Sequence, residues 1–269
     1  MAQGMIRNFF FENYTASANG GELYINHDFG HLLKKEDVLF IVSNWEALHE
    51  RYFLFFRHQK RYRQVRGLEL KNCKIYIKKY LQNLSEAERE WNNIIFLWSK
   101  GFPTSIPIFF YKSQKEAFLG TKALEGKTIL DYEEKDLIQI NLFMEKIAFY
   151  LAKLHREKIF HQDCYLNHFY WDEKEGLLYL IDVSRILYHP SFSTYYQIKD
   201  LSQLKFSFYK YFPTNGEKFW EYFFDTYVKE YNLKLKYIYN MAIILKFLLI
   251  KRHTLKSKKL GIRELLLNL

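Results

Sequence analysis

The spacing of apolar residues changes near the middle of the chain, and this change constrains the fold more than any other feature. Up to about residue 123 the apolar residues stand in short runs rich in β-branched and aromatic side chains, which is typical of strands. Beyond that point they recur every three or four residues over long stretches, as in amphipathic helices. The pattern predicts an α+β protein in which a small antiparallel sheet with one helix precedes a mostly helical part.

The same pattern predicts the individual elements. Strands are expected over residues 38–42, 52–56, 65–70, 74–80, 106–111, 117–123 and 177–182. One helix is expected between Ser85 and Gly101, because Ser85 and Glu88 have the spacing of a capping box. A longer, buried helix is expected over residues 136–155, where an apolar stripe has helical spacing.

Composition narrows the possible partners and the compartment. The 269 residues include 40 Lys and Arg against 30 Asp and Glu, a formal net charge of +10, which favours an anionic partner. The two cysteines, Cys73 and Cys164, are too few for a disulfide framework or a four-thiolate zinc site, so a reducing compartment, the cytoplasm, is expected. No apolar run has the length of a signal-peptide core or of a bilayer span, and the sequence therefore predicts neither export nor a membrane segment.

Polar side chains are concentrated in the segment 161–168, and Asp182 follows after an apolar run. Phosphoryl transfer requires a carboxylate that orients the attacking hydroxyl, a second carboxylate that holds magnesium, and a further amide or imidazole ligand. Asp163, Asp182 and His168 could fill these roles in that order. His168 stands five positions after Asp163, the spacing between the Asp and the final Asn of a kinase catalytic loop.

A phosphoryl-transfer site also needs a fixed cation on the nucleotide phosphates. Lys78 on an alternating strand and Glu90 on the following helix match this need in order and chemistry. The stretch before Lys78 contains a single glycine, Gly67, so the usual glycine-rich phosphate loop is missing, and basic side chains, among them Arg63, are expected to replace its amides. A zinc site in the segment 161–168 would leave Lys78 and Glu90 without a role, so a kinase-like site is favoured.

These residues resemble a known family. The segment 161–169, HQDCYLNHF, resembles the H-R-D-C-Y-x-x-H-F motif of the lipopolysaccharide core heptose (I) kinases of the WaaP type, relatives of the Kdo kinases and of eukaryotic-like protein kinases. Further similar segments are 76–78 (YIK), 90–91 (EW), 123–125 (ALE), 130–132 (LDY), 180–185 (LIDVSR) and 199–201 (KDL). Gln162 stands where the family has Arg, and Ser184 where it has His. The resemblance covers the chain from about Arg57 onward.

The resemblance implies a protein-kinase-like two-lobe fold. Its N-lobe, an antiparallel sheet with one helix, would bind nucleotide within residues 1–122, a connector would follow over 123–128, and a mostly helical C-lobe would occupy 129–269. It further implies ATP and Mg²⁺ as cofactors. The implied site residues are Asp163 for catalysis, Lys78, Glu90, Glu125 and Arg63 for the nucleotide, and Asp182 and His168 for the metal.

The reaction implied is ATP-dependent phosphorylation of a heptose hydroxyl in the lipopolysaccharide inner core, at the cytoplasmic face of the inner membrane. The acceptor is anionic, which fits the positive net charge. The basic run from Lys251 to Lys259 is expected to contact an anionic membrane surface, the alternative being a solvated helix end. An acidic protein partner such as an acyl carrier protein is left open. Nucleic acid is disfavoured because the basic residues do not alternate with aromatic ones on one face.

Two alternatives to this function stay open. One is a kinase of the same fold that acts on Kdo, on another sugar alcohol or on a protein. The other is a pseudokinase or basic binding module that transfers nothing. A scaffold would not need the complete set of Lys78, Glu90, Asp163, His168 and Asp182, so this set favours an active enzyme.

Overall fold

The computed structural model describes residues 6–16, 21–70 and 73–267, with side chains as far as residue 255. The chain divides into two compact units. The first comprises the described residues up to Glu125 together with the segment Tyr179–Ser184. The second comprises Gly126–Leu178 and the described residues from Arg185 onward.

Antiparallel strands dominate the first unit. Among the described residues, seven strands form one sheet in the order β1-β2-β6-β7-β5-β4-β3. The strands are β1 (Phe11–Ala16), β2 (Gly21–Asn26), β3 (Phe53–Gln59), β4 (Arg63–Leu70), β5 (Cys73–Tyr80), β6 (Ile106–Lys112) and β7 (Ala117–Lys122). The central strand β5 pairs with β4 on one side and with β7 on the other.

Helix α2 (Leu84–Ser99) covers one face of this sheet. Its buried apolar residues recur at helical spacing, so that one side of the helix is apolar and packs on β6 and β7. These residues are Ala87, Trp91, Ile94, Leu97 and Trp98. The ring of Trp91 stacks on Phe110 of β6 at a centroid distance of 5.4 Å.

Two sequence predictions about helices in this unit are wrong. Residues 38–42 belong to a helix, α1 (Lys35–Ser43), and not to a strand, so the sheet is accompanied by more than the one expected helix. Val38, Ile41 and Val42 are buried along one side of α1, and burial of this side outweighs the strand preference of β-branched residues. Helix α2 begins after Asn83 rather than at a capping box formed by Ser85 and Glu88.

Hydrogen bonds attach the segment Tyr179–Ser184 to the rest of the first unit, and three of them involve its backbone carbonyl and amide groups. The Leu180 amide donates to the Pro103 carbonyl at 3.1 Å, and the Thr104 hydroxyl donates to the Leu180 carbonyl at 2.5 Å. On α2, Asn93 Nδ2 donates to the Val183 carbonyl at 2.7 Å. Asp182 lies between these attachment points in a left-handed backbone conformation, with φ of 59°, just beyond the end of its strand.

Helices dominate the second unit. Its helices are α3 (Leu137–Arg156), α4 (Ser193–Tyr211), α5 (Gly216–Tyr231) and α6 (Lys236–Leu267). Short strands lie between α3 and α4: β8 (Ile159–Phe160), β9 (Phe169–Asp172), β10 (Leu177–Leu180), which runs into the Tyr179–Ser184 segment, and β11 (Leu187–Tyr188). Helix α3 packs against α5, and α4 packs against α6. Within the described part of the chain, no helix has both the length and the apolar character required to cross a bilayer.

Candidate active site

Four predicted site residues form an ion-pair network in the first unit. Lys78 Nζ on β5 lies 2.6 Å from Glu90 Oε1 on α2 and 2.8 Å from Asp182 Oδ1. Arg63 Nη1 on β4 lies 3.6 Å from the same Asp182 oxygen. Two cations therefore face one carboxylate, and the buried Glu90 fixes one of these cations from the other side.

The carboxylates in this network keep its cations protonated. Burial alone would lower the pKa of Lys78, but the charges of Glu90 and Asp182 raise it above its ordinary value. Burial opposes protonation of Arg63 in the same way, and the charge of Asp182 makes the largest contribution that raises its pKa. Both side chains are positive at neutral pH, as a phosphate-binding cation must be.

Tyr80 belongs to this network although the sequence did not single it out. Its hydroxyl donates to Glu90 Oε2, and its ring is fully buried. Burial, followed by the charge of Glu90, raises the pKa of Tyr80 well above its ordinary value, so it stays a donor. Lys78 and Tyr80 are two positions apart and project from the same face of β5, a spacing that could have identified it.

The hairpin between β3 and β4 comes directly before β5, the strand that carries Lys78. Its turn is closed by hydrogen bonds between the backbones of Lys60 and Arg63, at 2.9 and 3.3 Å. Gly67 lies further along β4, where a Cβ atom would come within 2.6 Å of the Phe55 ring. Gly67 is therefore required by packing, and the turn itself is basic.

Glu125, the predicted residue in the connector, lies at the end of the first unit. It lines a cavity of about 490 Å³ together with Glu69, Cys73, Lys74 and Lys122. The Ala123 amide donates to the Lys74 carbonyl at 2.8 Å, which holds the connector beside β5.

In the second unit, a buried carboxylate determines the path of the predicted catalytic loop. Asp200 on α4 is fully buried, and its two oxygens accept the backbone N–H groups of His161 and Gln162, each at 2.7 Å. His155 Nε2 lies 3.4 Å from the same carboxylate. Gln162 adopts a left-handed conformation with φ of 68°, which is strained for a residue with a side chain.

Two more polar residues of α4 continue this support. Gln203 Oε1 accepts the Cys164 amide at 3.1 Å and Ser207 Oγ accepts the Leu166 amide at 3.1 Å, while Gln203 Nε2 donates to the Gln162 carbonyl at 3.1 Å. Asp200, Gln203 and Ser207 follow one another at three- and four-residue spacing and are all buried. Polar residues with this spacing on a buried helix face are the signal by which the sequence could have revealed them.

The loop brings Asp163 and His168 together. His168 Nδ1 lies 2.8 Å from the Asp163 carbonyl oxygen, and the Asp163 carboxylate is partly exposed, 4.0 Å from Arg185 Nη1. Cys164, the residue after Asp163, is fully buried, and burial, followed by the charges of Asp200 and Asp163, raises the pKa of its thiol well above the ordinary value. The thiol is therefore protonated at neutral pH, as expected of a packing residue.

Comparisons with known proteins show which family the chain matches and which solved structures it is similar to. Residues 46–227 match the family described as "Lipopolysaccharide kinase (Kdo/WaaP) family". The structure is similar to one titled "WaaP in complex with acyl carrier protein", with a TM-score of 0.57 and 19% identity over 84% of this chain and 97% of that chain. It also matches the Cydia pomonella granulovirus kinase PK-1, with a TM-score of 0.40 and 16% identity over 55% of this chain and 58% of that chain. No curated protein matches the sequence.

The likeness to WaaP confirms the expected kinase-like α+β fold. The family match spans most of the chain, from the turn before β3 to α5. The chain therefore belongs to the lipopolysaccharide kinase (Kdo/WaaP) family, the phosphotransferases that use ATP to phosphorylate a sugar hydroxyl of lipopolysaccharide.

Proposed function

We propose that this protein phosphorylates a heptose hydroxyl in the lipopolysaccharide inner core, at the cytoplasmic face of the inner membrane. The observation that carries the proposal is the network of Lys78, Glu90 and Asp182, because it holds a protonated lysine against two carboxylates as a kinase requires. The heptose itself is supported by the motif HQDCYLNHF over residues 161–169.

In this proposal the first unit binds the nucleotide. Lys78 binds the α- and β-phosphates, and Glu90 keeps its ammonium group in place. Arg63, at the end of the basic β3–β4 turn, supplies a second cation where backbone amides of a glycine-rich loop would otherwise act. Glu125 lies in the connector, which would border the adenine base of ATP. The proposed division is a nucleotide-binding region over residues 1–122, a connector over 123–128 and a helical region over 129–269.

The donor atoms fit Mg²⁺ as the metal. Asp182 offers carboxylate oxygens of the kind that Mg²⁺ prefers, and its Oδ1 lies 2.8 Å from Lys78 Nζ and 3.6 Å from Arg63 Nη1. We assign Asp182 and His168 to the metal. When bound, the ion would neutralise charge on the phosphate oxygens.

Asp163 is the proposed catalytic residue. Its partly exposed carboxylate can accept the proton of the acceptor hydroxyl, since the loop that carries it is fixed through Asp200. Asp163 would then both orient the hydroxyl and accept its proton as the hydroxyl oxygen attacks the γ-phosphorus of ATP, while Lys78 and Arg63 would bind the phosphates of the leaving ADP.

An anionic membrane surface is the proposed location. Helix α6 carries eight Lys or Arg residues and one acidic residue, Glu264. It also exposes an apolar row at helical spacing, whose members are each more than half exposed: Ile238, Met241, Leu245, Leu248 and Leu249. A helix that combines apolar and basic residues in this way suits the interface of an anionic bilayer. The side chains of Lys256, Lys258 and Lys259, part of the predicted basic contact, lie outside the described residues.

An acyl carrier protein is the proposed protein partner. The similar WaaP structure is titled as a complex with such a protein, and the net charge of +10 suits an acidic partner. Size-exclusion chromatography of the two purified proteins, at low and high salt, tests this partner separately from the catalytic proposal.

Transfer of labelled phosphate tests the function. The full chain with labelled ATP and dephosphorylated core lipopolysaccharide is expected to label a heptose, located by mass spectrometry of the released core. Asp163→Asn is expected to lower kcat by about 100-fold or more with little change in ATP affinity. Asp225→Asn, which removes an exposed carboxylate of α5, is the matched control and should retain kcat.

Two results would contradict the proposal. Wild-type turnover by Asp163→Asn would exclude Asp163 as the proton acceptor. Labelling of Kdo, or of a protein, in place of heptose would leave the kinase assignment standing and would reject the heptose acceptor.

A further inference from the structure

Three cations of the second unit have no role in the chemistry above. They are Arg185, Lys199 and Lys246, which we call the cation cluster. Lys199 Nζ on α4 donates to Gln162 Oε1 at 2.8 Å, and Arg185 Nη1 lies 4.0 Å from Asp163 Oδ1. Since Gln162 and Asp163 are consecutive, two of the three cations lie beside the same part of the catalytic loop.

The third cation reaches this region from α6. Lys246 Nζ donates to the Tyr195 hydroxyl at 3.0 Å and lies over the Tyr195 ring, 4.8 Å from its centroid. Tyr195 stands one helical turn before Lys199 on α4, and the two side chains therefore share a face of that helix. The cation cluster thus draws on α4, α6 and the segment after Asp182.

The charges of the cluster act on one another. Burial lowers the pKa of Lys199, and although the charge of Asp200 opposes this, the charges of Lys246 and Arg185 lower it further. Asp200 is already committed to the backbone of the catalytic loop through both of its oxygens. The two carboxylates nearest the cluster, Asp163 and Asp200, are respectively the proposed catalytic group and the support of the loop, so the cluster remains a concentration of positive charge.

A second observation points to a ligand at the same place. Gln162 is only 5% exposed, and its Nε2 has no hydrogen-bond partner in the described structure, while Oε1 of the same amide accepts from Lys199. A buried amide donor is normally paired, so an acceptor oxygen is expected there. Donors from one amide and several cations together match an oxyanion.

We propose that the cation cluster and Gln162 bind an oxyanion, a carboxylate or phosphate, carried by the lipopolysaccharide acceptor. This site rests on the proposed function and deepens it, because binding the anion of the acceptor would place the neighbouring hydroxyl against Asp163. The cations assigned to the nucleotide, Lys78 and Arg63, belong to the other unit.

Inorganic phosphate is the first probe, because it needs no assumption about the acceptor. Its binding is measured by calorimetry on the full chain saturated with adenosine diphosphate. We expect the wild type to bind phosphate. The variants Lys199→Met and Lys246→Met should each bind it about tenfold more weakly. Lys218→Met, which removes an exposed lysine of α5, should match the wild type. Thermal melting establishes that each variant is folded. Because the two test lysines lie on different helices, a local disturbance of one helix would not explain an effect of both variants.

Absence of phosphate binding in the wild type, or equal affinity in all four proteins, would overturn the site. Weakened binding in both test variants together with no phosphorylation of any lipopolysaccharide acceptor would retain the site and reject the proposed function. The two failures are therefore distinguishable.

Acceptor variants identify the anion. Core lipopolysaccharide is offered with its carboxylates intact, with them reduced to alcohols, or with its phosphates removed. In the wild type, loss of the recognised group should raise the acceptor KM about tenfold without raising the ATP KM. In Lys199→Met the same loss should change the acceptor KM little, because the partner is already missing. Equal effects of the acceptor change in wild type and variant would contradict the proposal.

Discussion

Glu90 shows how a single side chain can fix the geometry of its neighbours. It is buried, and each of its oxygens has a different partner, Lys78 on one side and Tyr80 on the other. A carboxylate held from two directions cannot rotate away from the lysine, so the lysine is positioned before nucleotide arrives. Such preorganisation lowers the cost of placing a cation on phosphate.

Removing the Tyr80 hydroxyl tests this at the level of one atom. Tyr80→Phe leaves one buried oxygen of Glu90 short of a donor, so we expect a loss of about 1–3 kcal/mol in the free energy of unfolding. We also expect kcat to fall several-fold, because Lys78 is less firmly positioned. The loss should be independent of pH from 6 to 9, since the raised pKa keeps the Tyr80 hydroxyl protonated throughout. Denaturant unfolding and initial rates measure the two effects.

The control is Tyr62→Phe, which removes the hydroxyl of an exposed tyrosine in the β3–β4 turn. It should leave the free energy of unfolding within about 0.5 kcal/mol of the wild type. A Tyr80→Phe protein with wild-type stability and kcat would show that Glu90 needs no second donor.

At the scale of elements, helix α2 connects two parts of the first unit. It carries Glu90 toward β5, and three positions later it carries Asn93 toward the Val183 carbonyl, next to Asp182. One face of one helix thereby sets both the position of Lys78 and the path of the segment Tyr179–Ser184. The ion-pair network depends on that helix as a rigid body.

Asn93→Ala should weaken this connection. We expect a loss of about 1–3 kcal/mol in the free energy of unfolding, because a buried carbonyl loses its donor. We also expect a raised KM for Mg²⁺, because Asp182 is less well placed. The neighbouring Asn92 is exposed, so Asn92→Ala is a matched control with the same change of residue type. Equal Mg²⁺ dependence in the two variants would refute the role of Asn93.

Much of this organisation follows from local sequence, and the reasons differ between elements. The strands around β4, β5, β6 and β7 are predictable because alternation and aromatic content persist over each whole strand. Helix α1 is not predictable in this way. Its run VLFIV has the residue types of a strand, whereas its buried positions have helical spacing. Strands β1 and β2 also escape prediction, because β2 is fixed by pairing with β6, a partner about 85 residues away. The role of Asp200 depends on contacts with residues almost 40 positions earlier in the chain, His161 and Gln162, and only the structure reveals such contacts.

The whole molecule distributes its charge unevenly. Helix α6 holds eight of the 40 Lys and Arg residues and a single acidic one, and its exposed apolar row lies on the same helix as Lys246. Contact with a bilayer and contact with the anion of the acceptor would then depend on one helix. This arrangement suits an acceptor that is itself embedded in a membrane.

Two sets of variants separate the apolar and the charged contributions to vesicle binding. Ile238→Ser, Met241→Ser and Leu245→Ser combined should weaken binding to vesicles containing phosphatidylglycerol at both low and high salt, because apolar burial is lost. Lys251→Gln with Arg252→Gln should weaken it mainly at low salt, by about 1 kcal/mol for each charge. Co-sedimentation measures both.

The matched control is Leu142→Ser, which changes an exposed apolar residue of α3. It should bind vesicles as the wild type does, and all variants should keep the wild-type KM for ATP. Unchanged vesicle binding in both test proteins would remove α6 from the membrane contact.

The support of the catalytic loop by Asp200 has a consequence for how such a site can diverge. Asp200 recognises the backbone N–H groups of His161 and Gln162, which every residue except proline provides, and it makes no demand on their side chains. The side chain at position 162 can therefore change while the path of the loop persists. Gln162, which stands where the similar motif has Arg, is such a change. Its neutral amide accepts a hydrogen bond from Lys199, so that α4 supplies the positive charge beside the loop. A lineage of these enzymes could in this way adjust its acceptor without rebuilding the machinery of transfer.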